Sequence, residues 1–223
     1  MIEQLYIIPI LLFSVIIHEI AHGWMALRLG DPTAKMMGRL TLNPIPHIDL
    51  IGSIVVPLFS LLAAGQVFIA WAKPVPVNPM NFRNFRRDDL LVSVVGPVSN
   101  LVLACICTLL FILFGYGRIW IGPPDGSGLE EALTFICRMF YGGIILNIVL
   151  AVFNLIPVPP LDGSHVVASM LPASMADAYS RIGFFGVFVV IFLMRIPAVN
   201  ALFSMIVNGL FLPLRAVITM FFQ

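Results

Sequence analysis

Residues 5–28 read LYIIPILLFSVIIHEIAHGWMALR, and this stretch decides the fold. It is long and apolar enough for a membrane-spanning helix, which needs about 20 mostly apolar residues. It also contains His18, Glu19 and His22 close together. Because each ionisable side chain at membrane depth costs a few kcal/mol, such a cluster needs a functional reason. The stretch therefore predicts a first transmembrane helix that carries a polar site.

The composition extends the membrane assignment to the whole chain. Of its 223 residues, 60% are hydrophobic and 10% are charged, whereas a soluble domain has about 45–50% apolar and about 25% charged residues. This difference excludes a soluble enzyme. The net charge of +1, with no basic stripe, excludes nucleic acid as a partner. We expect an all-α integral membrane protein that forms one polytopic domain over residues 1–223.

Apolar runs predict about five transmembrane helices. They cover residues 5–28, 90–115, 134–157, 181–195 and 198–218. Pro197 separates the last two, which predicts a C-terminal helical hairpin over residues 181–218. A further apolar run, residues 50–72, is ambiguous because glycine and proline interrupt it.

Positive charge predicts the orientation, because cytoplasmic loops carry an excess of Lys and Arg. Three basic residues, Arg118, Arg138 and Arg195, fall in one set of loops and ends. Nine fall in the other set: Arg28, Lys35, Arg39, Lys73, Arg83, Arg86, Arg87, Arg181 and Arg215. Loops 29–49 and 73–89 are then both cytoplasmic. The run at 50–72 must therefore enter and leave on one face as a re-entrant segment, which is tolerated where protein or water surrounds it.

The cluster in the first span has the spacing of a metal site. On a helix, His18 and His22 lie on one face because they are four residues apart. Two imidazoles so placed can bind one tetrahedral zinc, and Glu19 beside them can take a proton from a zinc-bound water. The alternative is a polar patch on a helix end that reaches cytoplasmic water.

A catalytic zinc usually takes a third protein ligand. The candidates on the same side are Asp31, His47, Asp49, Asp162, His165 and Asp177. Asp162 stands out because Pro157, Pro159 and Pro160 forbid a continuous helix before it. A re-entrant 50–72 also puts it on the same face as the histidines. The spacing alone equally allows an Asp-Gly turn, or an N-cap for a short helix at 164–171.

Three ordered motifs resemble the site-2 protease family, zinc metalloproteases that cut substrates within the membrane. They are His18-Glu19-x-x-His22, Gly96-Pro97-x-x-Asn100, and Asn154 followed by Pro157 and Leu161-Asp162-Gly163. The resemblance covers residues from about 10 to about 170, and the most similar members are compact ones without a PDZ or CBS domain. It implies a core within residues 5–170, built from the spans 5–28, 90–115 and 134–157.

The resemblance also implies a set of residue roles. His18, His22 and Asp162 would ligate one Zn²⁺ per chain, and Glu19 would be the general base. Asn154 would have an electrophilic or substrate-holding role. The expected function is hydrolysis of peptide bonds in a membrane protein or membrane-embedded peptide. The expected location is the cell membrane, multi-pass in the lipid bilayer, with the active site toward the cytoplasm. A metal transporter and a non-proteolytic membrane scaffold are the alternatives.

The segment Trp71-Ala-Lys-Pro-Val75-Pro-Val77-Asn78 alternates valine with proline and cannot be helical. A peptide bond must be unwound before hydrolysis, so we expect an extended segment near the zinc that holds the substrate as an added strand. Val75 and Val77 are the expected contact residues. A plain cytoplasmic loop is the alternative.

Four other polar residues stay open at this point. His47 is either a loop cap or a metal contact, and His165 is either a solvated interface residue or a residue that contacts the metal ligands without binding the metal. Asn100 and Asn147 lie in or at the mouth of predicted spans. Interhelical hydrogen bonding explains both asparagines, and a catalytic part is the alternative.

Overall fold

The computed structural model describes residues 6–55, 72–124 and 126–222, and these residues contain helices and no strand. The all-α prediction is confirmed. The α-helices are α1 (Ile7–Arg28), α2 (Thr33–Met36), α3 (Phe85–Ile121), α4 (Gly128–Asn154), α5 (Gly163–Met170), α6 (Ala173–Ser180), α7 (Gly186–Met194) and α8 (Pro197–Phe221). Within these ranges, four helices are long and apolar enough to span a membrane: α1, α3, α4 and α8.

The predicted span at 181–195 is wrong. Gly183 has a φ of 48° in a 3₁₀ turn, and α7 after it has nine residues. Nine helical residues are about 14 Å long, less than half of the bilayer core of about 30 Å. The helices α7 and α8 contact each other on either side of the turn at Pro197. Of these two helices, only α8 is long enough to span the membrane, and the hairpin over residues 181–218 stays a prediction.

The helices α1, α3 and α4 pack against one another and form the centre of the bundle. The three helices approach one another closely at Gly143 of α4. A Cβ added there would lie 2.8 Å from Ile10 of α1 and 3.0 Å from Cys107 of α3. The buried apolar core around this point consists of Ile10, Ala104, Cys107, Ile112, Ile144, Ile148, Val152 and Ile218. Ile218 belongs to α8, which packs on α3 and α4.

A short turn joins α3 to α4 and makes them antiparallel neighbours. Gly122 ends α3 with a φ of 53°, a left-handed conformation that suits glycine. Ser127 then caps α4, because its Oγ accepts the N–H of Glu130 at 3.2 Å. Glu130 also forms an ion pair with Arg118 of α3 at 3.0 Å. These contacts lie at the end of the bundle opposite the histidines.

The C-terminus of α8 lies at that same opposite end. A Cβ on Gly115, near the end of α3, would lie 2.5 Å from the ring of Phe222. Tyr116 stacks edge-on against Phe221 with ring centroids 5.9 Å apart. With 25 residues, α8 is about 37 Å long. Pro197 therefore lies at the end of the bundle that carries the histidines.

The predicted re-entrant segment at 50–72 lies mostly outside the described residues. The described part begins with a π-helical turn at Leu50–Val55. The two chain ends that flank the segment are neighbours, because the N–H of Lys73 donates to the carbonyl of His47 at 2.9 Å. The guanidinium of Arg39 also donates to the carbonyl of Lys73 at 2.7 Å. This proximity is compatible with a re-entrant segment, whose two ends lie on one face of the membrane.

Candidate metal centre

Three side chains meet at the inner surface of α1. Nε2 of His18 and Nε2 of His22 are 3.0 Å apart. The carboxylate of Asp162 lies 3.1 Å from the first nitrogen and 3.4 Å from the second. One ligand atom from each of the three residues lies within 4.8 Å of the others. The structure thus brings together the two histidines of α1 and the aspartate from the loop after α4.

Both imidazoles are held through their other ring nitrogen. Nδ1 of His22 lies 2.7 Å from the carbonyl oxygen of Val92. Nδ1 of His18 lies 2.6 Å from Oδ1 of Asn100. Because both partners are acceptors, each Nδ1 carries a proton and donates it. In a neutral ring this leaves Nε2 with its lone pair directed at the common point, as a metal ligand requires.

Gly96 makes room for the two rings. A Cβ at this position of α3 would lie 2.4 Å from Nε2 of His22 and 2.7 Å from Cε1 of His18. In an α-helix, the N–H of Gly96 points to the carbonyl of Val92, four residues earlier. Because Gly96 has no side chain, that carbonyl stays accessible to His22. The glycine is therefore needed for contact between α3 and the site.

Asp162 is aimed by an irregular loop. The helix α4 ends at Asn154, and α5 begins at Gly163. Asp162 occupies the N-cap position of α5, yet its side chain makes no capping hydrogen bond and lies on the histidines. A Cβ on Gly163 would lie 2.2 Å from the carbonyl oxygen of Leu155, so a glycine is required at this tight turn. Burial acts to raise the pKa of Asp162, whereas the adjacent imidazoles, when protonated, lower it to about 2.

The residues present fit a zinc ion. A tetrahedral zinc with bonds of about 2.0–2.1 Å has ligand atoms about 3.3 Å apart. The three observed separations, 3.0, 3.1 and 3.4 Å, are close to that spacing. Oδ2 of Asp162 is buried and has no hydrogen-bond donor among the residues that the structure describes. Two imidazole nitrogens and a carboxylate, all directed at one point, are a donor set that a cation satisfies.

Glu19 stands beside this group and is not part of it. Its Oε2 accepts the backbone N–H of Val75 at 2.7 Å. Val75 itself is buried, with 7% of its surface exposed, and its side chain lies against α1 at Gly23. Val77 is half-buried. The structure therefore places the predicted extended segment next to the carboxylate of Glu19, and residues 72–78 are not helical.

Asp31, just after α1, forms hydrogen bonds to the C-terminal end of the extended segment 72–78. Its fully buried carboxylate accepts the N–H of Asn78 at 2.7 Å and the amide of Asn81 at 2.7 Å. It also accepts both the N–H and the hydroxyl of Thr33. Burial acts to raise the pKa of Asp31, but these hydrogen bonds outweigh it and lower the pKa.

Asn154 is the last residue of α4 and directly precedes the loop that carries Asp162. Its amide nitrogen donates to the carbonyl of Leu150 at 3.0 Å, within its own helix. In this conformation, one amide hydrogen is committed to α4 and is not directed at the histidines.

The two histidines whose roles were left open, His47 and His165, have hydrogen-bond partners outside the metal group. His47 is buried, and its Nε2 lies 2.9 Å from the carbonyl of Thr41, which is the loop-cap arrangement. His165 in α5 forms an ion pair with Asp89 of α3 at 3.0 Å. This pair joins the helix that follows Asp162 to α3. The partnership of His165 with Asp89 was missed, because nothing in the sequence relates positions 76 residues apart.

The chain resembles known proteins over most of its length. Residues 6–194 match Peptidase family M50. "Putative zinc metalloprotease YwhC" of Bacillus subtilis (strain 168) is 39% identical over 191 residues, which are 82% of this chain and 80% of that relative. "Putative zinc metalloprotease Rip2" of Mycolicibacterium smegmatis is 28% identical over 204 residues, which are 90% of this chain and 70% of that relative. No solved structure shows significant similarity to the chain.

Proposed function

The chain belongs to peptidase family M50, the site-2 protease family of metalloproteases, and we propose that it hydrolyses peptide bonds of membrane-embedded substrates with one bound zinc. The observation that carries the proposal is the convergence of His18, His22 and Asp162 at separations of 3.0–3.4 Å beside Glu19. These three residues are the proposed zinc ligands. His18 and His22 lie in the second half of α1 and Asp162 lies in the loop after α4, which supports a reaction site among the helices of the bundle.

The proposed chemistry divides between the metal and Glu19. When bound, zinc supplies Lewis-acid chemistry, because it makes water nucleophilic at neutral pH and polarises the scissile carbonyl. Glu19 accepts a proton from the attacking water on its carboxylate and later delivers a proton to the leaving amine nitrogen. The C–N bond breaks, and the products are a carboxylate and an amine. The hydrogen bond from the backbone N–H of Val75 to Oε2 of Glu19 holds this carboxylate between α1 and the extended segment.

We propose that residues 72–78 hold the substrate as an added strand. Support comes from the position of the segment, because its Val75 N–H contacts the proposed general base. The side chain of Val75 is buried, so its contact with substrate goes through the backbone, whereas half-buried Val77 offers side-chain surface. A photo-crosslinker at Val77 in a Glu19→Gln chain is expected to trap substrate. The matched control is Met80, which is 91% exposed beyond the segment, and equal trapping at both positions would contradict the proposal.

Asn154 is the proposed donor to the oxyanion of the transition state. Its position at the end of α4, directly before the Asp162 loop, supports this role, although its amide now donates to the carbonyl of Leu150. A rotation of the side chain is then required when substrate binds. Loss of an oxyanion donor costs about 3 kcal/mol in the transition state, so Asn154→Ala is expected to lower kcat at least 100-fold.

The proposed orientation places the active site toward the cytoplasm of the cell membrane. Because α7 does not span, Arg195 moves to the same side as the histidines, and Arg215 near the end of α8 moves to the other. The two changes compensate each other. The distribution of basic residues is still nine on the side of the histidines against three, which supports this orientation.

Cleavage and metal flux should be measured on the same liposomes. The purified chain, reconstituted with a membrane-spanning peptide substrate, is expected to cut it, to stop after chelation and to resume when zinc is returned. Glu19→Gln is expected to abolish cleavage. Glu131→Gln, an exposed carboxylate at the opposite end of the bundle, is the matched control and should cut normally. Zinc flux into the liposomes without cleavage would favour the transporter alternative and contradict the proposal.

A further inference from the structure

A buried chain of hydrogen bonds connects the metal centre to the middle of the helical bundle. Nδ1 of His18 contacts Oδ1 of Asn100 at 2.6 Å. The amide nitrogen of Asn100 donates to Oδ1 of Asn147 at 2.9 Å, and the amide nitrogen of Asn147 donates to the carbonyl of Gly143 at 2.9 Å. Both asparagines have no exposed surface. We call these two side chains the amide pair; it joins α1, α3 and α4.

The direction of this chain is fixed at its far end. The carbonyl of Gly143 can only accept, so Asn147 must turn its NH₂ group toward it. The side-chain oxygen of Asn147 then faces Asn100, so Asn100 must donate a hydrogen bond to it from its own NH₂ group. The oxygen of Asn100 is left facing His18, so Nδ1 of His18 must be the protonated nitrogen. Each amide thereby selects the orientation of the next.

We propose that Asn100 and Asn147 are positioning residues that fix the ring orientation and tautomer of His18 as a zinc ligand. The inference rests on the proposed zinc site and goes beyond it, because neither asparagine is one of the three proposed ligands. Partners on the far ring nitrogen of a metal-binding histidine orient the ring and raise its basicity. His22 receives the same support from the backbone carbonyl of Val92. His18 depends on side chains for it.

A buried polar residue of α3 elsewhere in the bundle shows the contrast. Thr108 is also buried, with 3% of its surface exposed, and its hydroxyl donates to the carbonyl of Ala104 in its own helix at 2.9 Å. Its hydroxyl is thus satisfied within its own helix and, in the described part of the chain, forms no hydrogen bond to another helix. If the amide pair served only to satisfy buried polar groups, such local bonds would suffice. Thr108→Val is therefore the matched control for the loss of one buried polar group in α3.

Zinc affinity tests the proposal. The purified full-length chain in detergent is titrated with zinc against a chromophoric chelator, and the thermal unfolding of the metal-free chain is recorded in parallel. Asn100→Leu is expected to weaken zinc binding about 10–100-fold. Asn100→Asp is expected to stay close to the wild type, because a carboxylate also accepts the proton of Nδ1. Thr108→Val is expected to leave zinc affinity unchanged.

The order of the hydrogen bonds from Gly143 through Asn147 and Asn100 to His18 gives a second, independent expectation. Asn147→Leu is expected to weaken zinc binding by itself, because Asn100 can then reverse its amide. In an Asn100→Leu chain, Asn147→Leu should add nothing, since its effect passes through Asn100. In an Asn100→Asp chain it should also have little effect, because a carboxylate has no NH₂ group to turn toward His18. If Asn100→Leu does not give monodisperse protein, the effect of Asn147→Leu in the wild-type chain is compared with its effect in the Asn100→Asp chain. An equal loss of zinc affinity in both would contradict the positioning role.

The outcomes separate this inference from the proposed function. If Asn100→Leu binds zinc as tightly as Thr108→Val, or if the effects of Asn100→Leu and Asn147→Leu add, the positioning role is wrong. If Asn100→Asp is as weak as Asn100→Leu while both metal-free chains unfold at a lowered temperature, the asparagine only stabilises the bundle. If the wild-type chain binds no zinc, the proposed function fails instead.

Discussion

Replacing Gly96 by alanine tests whether the metal centre depends on the missing side chain in α3. The added Cβ would lie 2.4 Å from Nε2 of His22, whereas ordinary contacts of a Cβ begin at 3.4 Å. The His22 ring must therefore retreat by about 1 Å, the difference between these distances. It cannot do so without lengthening its 2.7 Å hydrogen bond to Val92. Cε1 of His18, 2.7 Å away, must move as well.

The expected effect is a loss of both zinc affinity and activity. A misplacement of about 1 Å costs about 100-fold in catalysis, and we expect zinc affinity to fall by a similar factor, equivalent to about 2.8 kcal/mol. Chelator competition on the purified chain measures it. Gly117→Ala in the same helix is the control, because a Cβ there would lie more than 4 Å from every atom of the described residues that could contact it. The reasoning is refuted if Gly96→Ala and Gly117→Ala bind zinc equally well.

Three further predictions follow from the topology and the loops. Single cysteines at Arg195 and Arg215, in a chain without the native cysteines, should be labelled from opposite sides of the membrane, Arg195 from the side of the histidines. Labelling of Arg195 from the other side would indicate that residues 181–195 span the membrane after all. Asp89 raises the pKa of His165, so their ion pair stabilises the fold fully below about pH 6.5 and is lost as pH rises through the raised pKa. Because His165 is half-exposed, the effect is about 0.2–1 kcal/mol, and Asp89→Asn should remove it from unfolding curves recorded between pH 6 and 8.5. Asp31→Asn should lower stability by about 1–3 kcal/mol, because its buried carboxylate accepts several hydrogen bonds; unchanged thermal unfolding would contradict this.

The site was predictable where local spacing or topology determines it. The four-residue separation of His18 and His22 places both on one face of any helix. Asp162 followed from parity, because α1 and α4 end at the same side of the bundle. The structure agrees on the meeting of these three residues.

Helix ends were less predictable, because hydropathy alone does not report them. The span predicted at 134–157 begins at Gly128, since the cap at Ser127 and the polar first turn extend the helix beyond its apolar run. It ends at Asn154, before the prolines. The run at 181–195 is apolar enough for a span, but the left-handed Gly183 and the 3₁₀ turn after it shorten the helix to α7.

Long-range polar contacts could not be predicted from the sequence. His18 and Asn100 are separated by 82 positions, and only the packing of α1 against α3 joins them. The sequence favoured an interhelical hydrogen bond for Asn100 and Asn147, which is correct, but did not identify His18 as the end of the chain. The contact of Glu19 with the Val75 N–H likewise depends on how the segment folds back over α1.

Zinc content tests the central claim most directly, because Asp162 and Glu19 are both carboxylates near the same histidines but have different proposed roles. Zinc per chain should be measured on monodisperse samples of Asp162→Ala and Glu19→Gln, with cleavage assayed in parallel. Asp162→Ala removes one of three ligands and is expected to lose most of its zinc. Glu19→Gln is expected to keep zinc near the wild-type level while cleavage disappears. Full zinc in Asp162→Ala, or cleavage by Glu19→Gln, would contradict the account.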